Sequence, residues 1–570
     1  MINQDDIKKL QYSADGSPYG NIVTSGSLDA DTLQYSADGS PWYGSEPSGG
    51  AYTLTAGAAS FSHSGQDAGL LRSLIYTLFA GAFTLTGQDA GLNTGALFPA
   101  DSGTFTLTGQ DAGLNRGLTI AADSAAFVLT GQDSGLNKAS LLTADGGTFT
   151  LSGQDAGLSR GVTIAAEGGT FTLTGQDAGL NRVLSIAADS GAFTLTGQDA
   201  GLIRAIVLTA DSGSFTLTGY AAGFSQAEVL TANTGSFTLT GQDAGLIRAI
   251  LITAESGIFT LTGIDAGLNR SLTIAADSGT FTLTGRDSGL NRGRIITADG
   301  GVFTLSGQDA GLNRSSLLTA DSGAFTLTGQ DAGFSQAGQL IAERGTFTLT
   351  GQDAWLNRGL AIAAGSGGFT LTGIDAGLIR SLSISAEGGT FTLTGRDAQF
   401  SQDGQLLAST GTFTLSGQDA GLIRALKIAA DSGSFTLTGQ DAAISRLTSL
   451  TTEVGTFTLT GRDAGLQKAA KLTAEAGTFT LTGYAAGLTE AGVFSANTGT
   501  FTLNGQDAGF VRSLILTADG GIFTLTGRDA GFIRACVLPA ESVGFSLSGQ
   551  GANIVYSGEE IFVPIVAFFY

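Results

Sequence analysis

The sequence predicts an all-β chain, an elongated β-repeat rod built as a β-solenoid of 23 two-strand rungs. Three observations predict it: a 22-residue period that never gains or loses a residue, an apolar/polar alternation inside each repeat, and a glycine at one fixed place in all of them. Phe61, Phe83, Phe105 and their successors to Phe545 mark the period, all on register, which makes 23 repeats. Surface loops tolerate insertions, so a length kept through the whole array implies that each repeat stacks on the next at every edge.

The repeat from Gly103 to Ser124, GTFTLTGQDAGLNRGLTIAADS, shows how each element arises. In TFTLTG, Phe105 and Leu107 point one way and Thr104, Thr106 and Thr108 the other, the pattern of a strand with one apolar face. Gly109 closes that strand, and its presence in every repeat implies either φ > 0 or close approach of a neighbour. QDAG reads as a turn, although Trp355, Gln399 and Ala443 stand where its glycine falls in three repeats. Leu114 follows as an apolar position, Asn115 and Arg116 as a polar pair, and LTIAA as a second strand with Ile120 and Ala122 facing inward; DSG leads into the next repeat.

With only about five inward apolar side chains, one repeat cannot fold alone, but stacking would bury them as continuous Phe, Leu and Ile columns. Strands stacked ~4.8 Å apart give a rod on the order of 110 Å long. The alternative is an intertwined trimeric β-fibre in which three chains share one core, and periodicity does not separate the two.

Composition agrees with short strands and tight turns: among 570 residues there are 88 Gly, 6 Pro and 13% charged residues. A 42% apolar content excludes a highly charged disordered chain, and the absence of glycine at every third residue excludes collagen. The single cysteine, Cys536, excludes an intramolecular disulfide and reads as a small core residue. The single histidine, His63, excludes a histidine metal site within one chain; it replaces an inward Leu in the first full repeat, which fits an irregular end rung better than catalysis. A net charge of −22 argues against nucleic acid as a partner. No stretch reaches the ~18 apolar residues of a membrane span, and MINQDDIKKLQYSADG lacks the apolar core of a secretory signal.

Charge belongs to the repeat. The Asp111 position is Asp in 20 repeats, the Arg116 position is basic in 17 and the Asp123 position acidic in 17, so these three columns account for −20 of the −22. Stacked like charges are unfavourable unless neutralised. Ala221, Ala485 and Gly551 replace the Asp in the same repeats in which Gln226, Glu490 and Tyr556 replace the base, so an ion pair such as Asp111 with Arg116 is expected. Calcium is the other reading of the Asp columns, but GQDAGLNRG does not match the nonapeptide of calcium-dependent β-rolls, and no cofactor is expected. The Thr106 and Thr108 columns look like the face of an ice-binding solenoid; they equally suit the solvent side of a strand.

The organisation divides into residues 1–50, an attachment or cap segment with duplicated LQYSADGSP; residues 51–553, the array; and residues 554–570, an apolar tail that caps the array or docks a partner. Equal rung lengths leave no irregular loop to build a pocket, so no enzyme activity is expected.

The YSADGSPW stretch and the GxFxLTGQDAxL repeats resemble those of bacteriophage virion fibres and related tail or head appendage proteins. The repeats cover most of the chain, the N-terminal motif little of it. The resemblance implies a virion appendage, commonly a homotrimer, held by other virion proteins through its N-terminal segment or C-terminal tail, released by lysis and touching the host cell surface. It transfers no catalytic residue.

Overall fold

The computed structural model describes residues 95–518 without interruption, together with 22–23, 52–56, 61–64, 69–70, 74–78, 82–92, 520–529, 531–532, 544–549 and 553–554. The duplicated LQYSADGSP segments, Cys536 and all but the first residue of the apolar tail lie outside the described residues. Those described form an all-β solenoid of about 19 turns, without a helix.

One rung illustrates the coil. A strand over Thr104–Thr108 is followed by a bend at Gly109 and Gln110, a strand over Asp111–Leu114, a corner at Asn115 and Arg116, and a strand over Gly117–Ala122. Asp123, Ser124 and Ala125 bend the chain into the next rung at Ala126–Thr130. In other rungs the second and third strands run together as one strand of 12 residues, as in Asp177–Ala188 and Asp199–Ala210, so these have two strands, as the sequence predicts, with the second longer than expected.

Ile22–Val23 pairs antiparallel with Tyr52–Ala56, whereas the strands of the array pair in parallel with their equivalents one repeat away, without slippage: Phe105 faces Phe127, Leu107 faces Leu129, and Asp111 faces Asp133. Parallel strands buried on one face need a crossover, and the remainder of each 22-residue turn supplies it. Two compact units divide the coil, one comprising Met1–Leu272 with Gly279–Gly285 and the other Thr273–Ser278 with Arg286–Tyr570. Both are built from the same rung.

The core follows the alternation. Phe105, Leu107, Leu114, Ile120 and Ala122 are buried, while Thr104, Thr106 and Thr108 face outward. In the first unit the rings from Phe83 to Phe281 stack nearly parallel; Phe105 and Phe127 lie 4.6 Å apart, close to the strand spacing. The second unit has the same stack from Phe303 to Phe523. Phe224, standing at the Leu114 position, wedges between Phe215 and Phe237 with centroids 6.0 and 5.6 Å away, so the columns of the two sheets meet across the coil. Each rung thus closes its core within one chain, and the intertwined arrangement with a core shared by three chains is not the one found.

One expectation requires correction, and at Gly109 one of two alternatives holds. QDAG is not a turn: only Gly109 and Gln110 bend, and Asp111 opens a strand whose Ala112 is fully buried. Gly109 also needs no φ > 0, since the one positive-φ glycine among the described residues is Gly520. Close approach is its reason. A Cβ on Gly109 would lie 2.8 Å from the Gly87 carbonyl oxygen, 2.9 Å from that of Gln88 and 3.0 Å from Cβ of Ala90.

Candidate functional site

Because the rungs are in register, every exposed side chain becomes a column, and the candidate site is a set of such columns rather than a pocket. Of the residues singled out in the sequence, Phe105, Leu107, Leu114 and Ile120 lie in the core and Gly109 in the bend, whereas Asp111, Arg116 and Asp123 are exposed.

The expected ion pair between Asp111 and Arg116 does not form. Asp111 stands against Asp89 and Asp133, and Arg182 against Arg204, like on like. Asp111 opens the second strand and Arg116 stands at the corner beyond its far end, and no ion pair joins them. Opposite charges meet where one column itself changes sign: Lys468 Nζ lies 3.4 Å from Glu490 Oε2, one rung apart in the basic column, with both side chains exposed. Nothing in the structure explains why the Asp and the base are lost from the same repeats.

The bend at Asp123 is held by hydroxyls, a role the sequence reading missed. Ser124 Oγ donates to the carbonyl oxygen of Asp101 in the preceding rung, Ser212 Oγ to that of Asp189 at 2.7 Å, and Thr234 Oγ1 to that of Asp211 at 2.6 Å. Beside these bonds the acids crowd. Partial desolvation, followed by the like charges of Asp145 and Asp101 on the adjacent rungs, raises the pKa of Asp123 above its ordinary 3.8. Asn233 relieves the same column by donating its amide to Asp211 Oδ1 at 2.7 Å.

A raised folded-state pKa means that the fold prefers the protonated acid. This contribution is fully present below the unfolded value and is lost as pH rises through the folded one. Asp123→Asn is therefore expected to increase protection of the Ser124 and Ala126 amides at pH 7, by roughly 0.5 kcal/mol or less because the group is solvent-screened, with no gain at pH 3. Protection factors from hydrogen exchange check it; an equal gain at both pH values would remove the repulsion as its cause.

On the opposite side of the Gly109 bend, a shallow open groove in the first unit is lined by Thr86, Thr108 and Thr130 and by Gln88, Gln110 and Gln132. The glycine column forms its floor because it carries no side chain. Above it the Thr columns stand in register, with Thr130 Oγ1 and Ser152 Oγ 3.2 Å apart. The arrangement offers repeated hydroxyls, amides and charges to a ligand, each at the strand spacing of ~4.8 Å.

Among the described residues no group of three or more His, Cys, Asp or Glu side chains is placed to hold a metal ion, and no helix is long and apolar enough to cross a membrane. His63 pairs through its backbone with Leu85 in the outermost described rung of the Phe-bearing sheet. Comparison with protein-family models, curated proteins and solved structures finds no match to this chain.

Proposed function

We propose that the chain is a structural fibre or decoration protein of a bacteriophage virion, projecting from the particle and contacting the host surface. The observation that carries this reading is the unbroken rung length: with strands of the array paired to their equivalents one repeat away, the exposed surface of each unit is a repeated display of the same columns. The resemblance of YSADGSPW and of the repeats to phage appendages supports the same conclusion. In this reading residues 1–50 or the C-terminal tail hold other virion proteins. Since each rung closes its own core, a trimer would associate through outer faces.

The test is immunogold labelling with antibody raised against the purified chain, applied to lysates and to intact cells that encode it. Label at one discrete place on virus particles is the expected result. Label confined to the cell envelope would overturn it in favour of an exported adhesin. One observation favours that second reading, with an ice-binding face: the Thr108 column forms an in-register hydroxyl array, and the Thr106 column beside it does so apart from Val128. Thermal hysteresis of the purified protein would support it.

A further inference from the structure

Apart from Lys468, which pairs with Glu490, the bases at the corner of the rungs make no ion pair among the described residues. In the first unit Arg116, Lys138, Arg160, Arg182 and Arg204 occupy that corner in five consecutive rungs, all exposed. Arg182 stands directly opposite Arg204 in the parallel register. Charges of one sign repeated every ~4.8 Å repel one another and draw counterions from solution. The chain's own acids form no ion pair with these five bases among the described residues, and the Asp111 column opens the strand whose far end leads into the corner.

We propose that this corner is a binding track for a linear acidic polysaccharide carrying one carboxylate or sulfate on each sugar. One acidic group per sugar spaces the charges of such a chain at roughly the scale of the strand spacing of ~4.8 Å, so those on the face turned to the protein meet bases of several rungs. Arg suits such groups because its planar fork can grip a carboxylate or sulfate with two hydrogen bonds. Amide side chains run alongside, with Asn137 Nδ2 donating to Asn115 Oδ1 at 3.0 Å. Exposed Leu184, Ile203 and Ile206 add apolar surface for the faces of sugar rings.

Nucleic acid fits less well. A duplex carries one charge per ~1.7 Å, and its excess phosphates would be pressed toward the flanking acid columns. Single strands bind by stacking on aromatic rings, and positions 115 and 118 of these five rungs carry none. The inference stands apart from the virion reading, since the charge of the corner belongs to the stacked repeat wherever the protein resides.

Polygalacturonate, with one carboxylate per sugar, is the probe, titrated against the full chain at several salt concentrations. The substitutions Arg160→Gln, Arg182→Gln and Arg204→Gln are combined in one variant. Gln stands naturally at this corner as Gln226, Gln336 and Gln402, so the fold accepts it. The matched control is Arg286→Gln, Arg396→Gln and Arg462→Gln, which removes the same charge from the exposed bend column.

The expected result is binding that weakens at least about tenfold in the corner variant, with the slope of log affinity against log salt reduced by about 2 to 3. The control stays within about twofold. Absence of binding at low salt overturns the proposal, as does equal weakening in both variants. Tighter binding of single-stranded poly(dT) than of polygalacturonate also overturns it, and assigns the corner to nucleic acid.

Discussion

Phe215→Ala is expected to destabilise its rung by about 3 to 5 kcal/mol, the range for removing a buried ring from a packed core. Phe215 is fully buried and stacks on Phe193 and Phe237, with centroids 4.7 and 4.6 Å away, and it also meets Phe224 from the facing sheet. Each ring pair adds ~0.5 to 1.5 kcal/mol beyond area burial, and truncation removes three such contacts at once. The stacked backbones are held at strand spacing, so the gap cannot close by collapse. In a coil whose rungs touch only their neighbours, the loss stays local before it spreads. Hydrogen exchange is the measurement: amides of the rungs around Phe193, Phe215 and Phe237 lose protection first. A loss below about 1 kcal/mol, or one spread evenly along the array, would contradict the interlocked Phe stack.

Gly197→Val is expected to cost about 3 kcal/mol, at the upper end of the range for overpacking. A Cβ at this position lies 2.8 Å from the Gly175 carbonyl oxygen, 2.9 Å from that of Gln176 and 3.0 Å from Cβ of Ala178. Two of these three are backbone atoms, and they cannot turn aside as a long side chain would. The amides of Gly175 and Asp199 donate to Thr196 and Gln176 at 3.0 Å, so relief would part bonded rungs. Gly201→Ala, four residues later, is the control. Its Cβ would meet only the Gly223 carbonyl oxygen at 3.8 Å, an ordinary contact, and a change below about 0.5 kcal/mol is expected. Chemical denaturation followed by circular dichroism compares the two; equal losses would show that the bend glycine acts through chain entropy and not through contact.

The same contrast shows where the fold was legible in the sequence. Invariance at Gly109 pointed to φ > 0 or close approach, of which the structure has the second, and the alternation of Phe105 and Leu107 with threonines named the buried face correctly. The strand at Asp111 was masked by composition, since Gln, Asp and Gly together carry the signature of a turn. A signal was nevertheless present: Ala112 and Leu114 keep the two-residue alternation going, and Trp355 at the glycine between them marks an outward position. Of the candidate site, the columns were readable because the period is constant. The ion pair was misjudged because charges of opposite sign lie on different edges of the coil, while parallel register sets each charge against its own kind.

The constant register also bears on how such a gene changes. Within each unit the strands of the array meet their partners at an offset of one repeat, as Phe83 does Phe105 in the first and Phe501 does Phe523 in the second, so neighbouring rungs of a unit present the same kind of junction. Unequal crossing-over between repeats therefore inserts or deletes a whole rung without creating a novel interface for selection to repair. The number of rungs is free to drift by whole repeats between lineages, while an insertion or deletion of any other size would break the register on both sides of it.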